Sequence, residues 1–229
     1  MFSRVDAIHF NSQNTAGVYG KYVDIPEESA VVAITHNGIK DWRNIRLYDE
    51  NVLRLGFIGS ETPYKGLPML RKIIGRLNSE GFKEKMRLYV HGGRIGVDGE
   101  FKNIAYKGKF TSSQMLSIYE SMDLLVVPSI CYETFSLTTL EALQFGVPIL
   151  VSSTVGAKDI IKKYAPQFVF ETPDDLYEIL KRLLKNRKEL IEYNQKIVDS
   201  SWQWSLSQHA KNIEDIIYRK SNLLEESHL

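Results

Sequence analysis

Apolar positions along the chain fall into short strand-sized runs. Between them lie longer stretches whose apolar residues recur at spacings of three and four. The runs Val5–Phe10, Val31–Ile34, Val52–Ile58, Arg87–His91, Ile104–Tyr106, Leu124–Val127, Pro148–Val151 and Gln167–Phe170 predict strands. In Gly66–Glu80 the residues Leu67, Leu70, Ile73, Ile74 and Leu77 line one helical face. Thr111–Met122 repeats the pattern, and Thr138–Gly146 ends on a glycine followed by Pro148. From Asp174 onward the strands stop, and helices are predicted over Asp174–Lys185, Lys188–Ser200 and Ser205–Ser221. Strand and helix alternating at this spacing imply right-handed βαβ units. The expected class is α/β: a Rossmann-like, doubly wound parallel sheet with C-terminal helices.

The start is uneven. Residues 1–36 hold a strand, a helix near Thr15–Tyr22 and a second strand. The turn signal His36-Asn37-Gly38 leads into a polar stretch, Lys40–Asn51, that reads as a linker or hinge. A full doubly wound sheet then fits between Val52 and Phe170. The closing LLEESHL has the look of a frayed tail.

Composition narrows the function classes. Lys plus Arg is 29 and Asp plus Glu is 28, a net charge of +1 that argues against bulk electrostatic binding of nucleic acid. A single cysteine, Cys131, excludes an internal disulfide and a cysteine-rich zinc site. No run approaches the ~20 apolar residues of a spanning helix, and the first ten residues lack a signal-peptide core. A cytoplasmic location is expected, with the inner membrane surface left open. Lys158, Lys162 and Lys163 could touch anionic lipid, although a solvated helix face is the plainer reading.

The chemistry concentrates in Pro128–Val151, PSICYETFSLTTLEALQFGVPILV. A buried strand runs into a loop carrying Glu133, and a helix opens near Thr138. Ligands of open parallel sheets bind beyond the carboxyl ends of the strands. Free amides around Phe135–Thr139 and the helix dipole suit an anion such as a diphosphate, and carboxylates suit sugar hydroxyls. A bland account competes: Thr138 and Glu141 have the spacing of a capping box, and Glu133 fits a solvated loop.

The pattern PS-x₃-E-x-F-x₅-E-A-x₃-G-x-P resembles the signature of the retaining nucleotide-sugar glycosyltransferases of family four, which have the GT-B fold of two Rossmann domains. Leu55–Gly59 followed by Lys65-Gly66, then Leu88–Gly93, Ala105–Phe110, and Val155-Gly156-Ala157 before Asp159–Ile161 resemble that family's further segments in order. Trp202 or Trp204, then Ile217-Tyr218, resembles its C-terminal helices. The resemblance implies a donor-binding C-terminal half, with residues 1–50 the end of the N-terminal domain plus linker, 51–205 the nucleotide-sugar domain and 206–229 a C-terminal helix and tail.

It also implies roles. Glu133 and Lys65 would be catalytic, Glu133 facing the transferred sugar and Lys65 neutralising the leaving diphosphate. Glu141 would hold the donor ribose, and the amides of Phe135, Ser136, Leu137 and Thr138 would line diphosphate and sugar. Gly59 and Ser60 would lie in the glycine loop, and Lys109 and Phe110 where the base packs. No metal and no cofactor are implied; the nucleotide-diphosphate sugar is substrate. Transfer would proceed with retention by a front-face, ion-pair-like route.

Two departures stand out. Ser60 occupies a position where the family usually has arginine, so donor binding is weaker or another cation, with Arg94 a candidate, substitutes. The second is length: the family uses two Rossmann domains of similar size, whereas only the end of the first, residues 1–36, is expected before a whole second domain. Ser136 also stands where the family usually has glycine. The expected partners are the donor and a missing N-terminal domain or partner subunit, with homodimerisation through the exposed cleft wall left open. The rival readings are a non-catalytic nucleotide-sugar-binding or assembly module of the same fold, and a sugar-nucleotide epimerase or phosphorylase.

Overall fold

A computed structural model describes residues 5–27, 29–31, 42–49, 51–200 and 206–215. The chain opens with β1 (His9–Phe10), α1 (Gln13–Tyr19) and β2 (Ala30–Val31). β1 and β2 pair in parallel as a separate small sheet. The Ser12 side chain accepts from the Thr15 amide and starts α1 two residues before the predicted position. The second predicted strand is described only to Val31; its remainder, His36, Trp202, Trp204, Ile217 and Tyr218 lie outside the described residues.

The main sheet contains β3 (Leu53–Ile58), β4 (Met86–His91), β5 (Ile95–Val97), β6 (Ile104–Gly108), β7 (Leu124–Val127), β8 (Ile149–Ser152) and β9 (Val169–Phe170). Its order is β5-β6-β4-β3-β7-β8-β9, and every pair is parallel except β5 with β6. The doubly wound parallel sheet read from the sequence is therefore the fold. From β3 the chain builds outward through β4 and β6, then crosses back to place β7 on the other side of β3. The ends of β3 and β7 thus flank the topological switch point, where such sheets open a crevice.

Helices α2 (Leu67–Leu77), α3 (Met115–Glu120), α4 (Leu137–Gln144), α5 (Lys158–Tyr164), α6 (Pro173–Lys185) and α7 (Lys188–Asp199) cover the sheet. The five predicted apolar residues of α2 are all buried, each stabilising the fold by about 1.5–3 kcal/mol relative to exposure. Residues 206–215 form a further helical segment. Among the described residues no helix is long and apolar enough to cross a membrane.

The polar stretch before β3 is bound to the domain. The Arg46 guanidinium donates to the carbonyls of Tyr119, Glu120, Met122 and Phe145. Asn194 on α7 accepts from the Arg46 amide and donates to the carbonyls of Asn44 and Gly146. Asp123, only 1% exposed, holds Arg54 by a forked ion pair and fixes the start of β3 beside β7.

Candidate active site

The crevice at the switch point is a pocket of about 250 Å³, walled by Phe57–Gly59 at the end of β3, Val126–Ser129 at the end of β7, Lys65, Glu133 and the opening of α4. Its geometry follows from two close approaches. Gly66, at φ +80°, ends the 3-10 turn Pro63–Lys65 and opens α2; a Cβ there would lie 1.7 Å from the Pro128 carbonyl oxygen. The Ile130 amide donates to the Tyr64 carbonyl (2.9 Å), so the Lys65 turn and the loop after β7 are joined. Across the loop, a Cβ at Gly156 would lie 2.1 Å from the Thr134 carbonyl. That room lets Glu133 and Val155 pair as an isolated parallel bridge.

Glu133 is held on both sides. Its amide donates to the Thr154 carbonyl (3.1 Å), and its carbonyl accepts from the Gly156 amide (3.0 Å). Its carboxylate meets Lys65 Nζ through Oε1 at 2.9 Å, and the Ser129 hydroxyl donates to that same oxygen. Oε2 has no protein donor among the described residues. Ser129 was quoted in the sequence pattern but given no role; the hydroxyls of Ser152 and Thr154 pin its carbonyl (both 2.7 Å). Ser12 and α1 also reach this loop: Ser12 donates to the Thr134 carbonyl and Asn14 to those of Glu133 and Thr154.

At the start of α4, Ser136 has φ 111°, a left-handed value no other described non-glycine residue adopts. Its hydroxyl contacts those of Thr138 and Thr139 (3.1 Å each) and caps no amide. The helix begins at Leu137, with Thr138 inside its first turn, so the capping-box reading of Thr138 and Glu141 does not hold.

The structure brings Gly59, Lys65, Glu133, Ser136, Leu137 and Thr138 to one pocket. Phe135 is buried beneath it, its carbonyl accepting from Ala157. Glu141 lies one turn along α4, where Oε2 accepts from the Tyr119 hydroxyl at 2.7 Å. Burial, then the nearby Glu141 charge, pushes the Tyr119 phenol well up, so it stays a donor. Ser60 is exposed, its hydroxyl 2.9 Å from that of Thr62. Arg94 lies outside the pocket lining, where it pairs with Glu61 (3.3 Å) and stacks 3.9 Å above the Tyr106 ring. Lys109 is exposed outside the pocket wall, while Phe110 meets buried His91 edge-on at 6.1 Å. Burial and then Lys107 push the His91 pKa down, favouring the neutral ring. Among the described residues no cluster of three or more His, Cys, Asp and Glu side chains could hold a metal ion.

Residues 52–186 match the family described as glycosyl transferases group 1. The chain belongs to this family. Among curated relatives of this group 1 chain, an uncharacterized glycosyltransferase of Methanocaldococcus jannaschii is 30% identical over 161 residues, 60% of this chain and 40% of that protein. Protein CapJ of Staphylococcus aureus is 24% identical over 80% of this chain and 52% of its own length. Anabaena HepE, solved in complex with UDP and glucose, superposes with a TM-score of 0.71 at 13% identity, covering 93% of this chain and 63% of HepE. WaaG, a glycosyltransferase involved in lipopolysaccharide biosynthesis, gives 0.68 at 18% identity, covering 90% of this chain and 61% of WaaG. The group 1 chain thus has a GT-B glycosyltransferase half-fold and spans about half the length of the curated relatives it matches.

Proposed function

We propose that this chain is the donor-binding half of a retaining glycosyltransferase that takes a nucleotide-diphosphate sugar. The carrying observation is the convergence of Lys65, Glu133 and the opening of α4 on the switch-point pocket. An ammonium group, an unsatisfied carboxylate oxygen and a helix N-terminus fit, in turn, a diphosphate, a sugar hydroxyl pair and a phosphate oxygen.

In this reading the diphosphate lies against the first turn of α4 and draws Lys65 from Glu133. Glu133, steadied by Ser129, accepts from sugar hydroxyls through Oε2. Glu141, held by Tyr119, takes the ribose. The bond from the anomeric carbon to the diphosphate oxygen breaks, and its electron pair stays with the diphosphate, where Lys65 and the α4 amides stabilise the growing charge. The acceptor hydroxyl bonds to the anomeric carbon on the same face, and its proton passes to the departing phosphate oxygen. The acceptor side would come from an N-terminal domain or partner subunit.

Calorimetry with UDP, ADP and GDP tests the reading. Saturable binding of at least one, weakened about tenfold in Lys65→Ala, supports it; no binding of any at millimolar concentration overturns it. Ser60 and the engagement of Arg94 by Glu61 favour a second reading, a binding or assembly module without transfer. In the completed enzyme, Glu133→Ala separates the two. Loss of transfer at unchanged melting temperature indicates catalysis, and full retention indicates the module.

A further inference from the structure

A groove of about 690 Å³ lies between residues 46–48 and the turn joining α6 to α7, and it shares no lining residue with the switch-point pocket. Arg187, only 9% exposed, is among the residues that line it. Arg187 Nη1 donates to the Leu183 carbonyl, but Nε and Nη2 have no acceptor among the described residues. Arg46 Nε and the Tyr48 hydroxyl, also on this groove, are buried and equally without a partner. Lys185 and Lys188 stand exposed at the rim.

The acidic groups nearby do not satisfy these donors. Glu192 lies on the rim with Lys188 Nζ 3.9 Å away. Asp49 and Asp123 attract Arg187, and Asp123 and Glu120 attract Arg46, only through space. Asp123 spends both oxygens on Arg54. Burial accordingly pushes both guanidinium pKa values down. A buried guanidinium with free N–H groups is costly without an acceptor.

We propose that this groove is a second anion site, one that takes the phosphate group of a phosphorylated small molecule. Four donor atoms on three side chains that line the groove lack a protein acceptor among the described residues, and two ammonium groups stand at the rim. A tetrahedral, multiply charged phosphate offers enough oxygens for that set, whereas a carboxylate has two. The groove has room for the remainder of a metabolite-sized molecule beside the phosphate. This assignment does not rest on the donor reading of the other pocket.

The probe is inorganic phosphate, followed by amide NMR on the whole chain. Saturable shifts should appear at residues 186–189. The dissociation constant should rise at least about tenfold in Arg187→Met and about threefold in the doubly substituted Lys185→Gln, Lys188→Gln chain. Lys65→Ala should leave this component unchanged, which separates it from phosphate bound at α4. Should Arg187→Met fail to fold, Tyr48→Phe and the double lysine variant decide. No saturable shift at 186–189 up to about 50 mM phosphate, or shifts unaltered in folded variants, would overturn the proposal.

Discussion

Lys65 Nζ and Glu133 Oε1 stand 2.9 Å apart at the switch-point pocket, in an ion pair that joins the turn after β3 to the loop after β7. Both side chains are partly exposed, so the pair contributes little to folding. A diphosphate recruiting Lys65 competes with Glu133. Lys65→Ala should weaken nucleoside-diphosphate binding about tenfold, by loss of one charge-assisted contact. Glu133→Gln should leave that affinity equal or higher while lowering affinity for the sugar-bearing donor. Calorimetry on both variants checks the contrast.

Ser136 carries a backbone conformation that costs a non-glycine residue about 1–3 kcal/mol. Ser136→Gly relieves it at the loss of two weak hydroxyl contacts. The expected net gain of about 1 kcal/mol raises the melting temperature by about 2–4 °C. Ser136→Ala keeps the strain and loses the contacts, so it should melt lower than the parent. Thermal denaturation followed by circular dichroism distinguishes them.

Gly66→Ala places a methyl group against the Pro128 carbonyl and demands φ +80° of an alanine. The Lys65 turn and the Pro128 loop must separate. A loss of about 3 kcal/mol or more is expected, with nucleotide binding impaired in whatever fraction stays folded. Urea unfolding and calorimetry together measure both effects.

Asp98, 1% exposed, links the stability of the domain to pH. Burial works to raise its pKa, but the Arg71 fork, the amides of Phe101 and Glu100 and the Tyr106 hydroxyl outweigh it and hold the carboxyl well below the usual range. Its contribution is therefore complete above the unfolded value near pH 4 and is lost progressively as pH falls below it. Asp98→Asn should cost about 3 kcal/mol at pH 7 and flatten the fall in stability between about pH 4 and 2. Urea unfolding across pH supplies the test.

Most of the sheet was legible in the sequence because its central strands are apolar on both faces. β7, predicted over Leu124–Val127, is buried along its whole length and has those bounds. β5 was not legible. All three of its residues are exposed, and it pairs antiparallel at the sheet edge, leaving no burial signal. The pattern around Glu133 marked the pocket, yet Ser129 went without a role because its contact with Glu133 depends on how the loop folds back. Arg46 was invisible for a different reason. Within a polar stretch it looked solvated, and its carbonyl partners lie 73 to 99 residues away. The orphaned donors of Arg187 and Tyr48 are likewise a property of packing between distant segments.

The contacts from Ser12 and Asn14 to the Glu133 loop end on main-chain oxygens of Glu133, Thr134 and Thr154. Every amino acid supplies such an oxygen. The loop can therefore exchange its side chains without unlearning how to dock against the first helix. Recognition between the two segments is indifferent to the vocabulary of the pocket it braces, which leaves the pocket's side chains free to change while the docking stays the same.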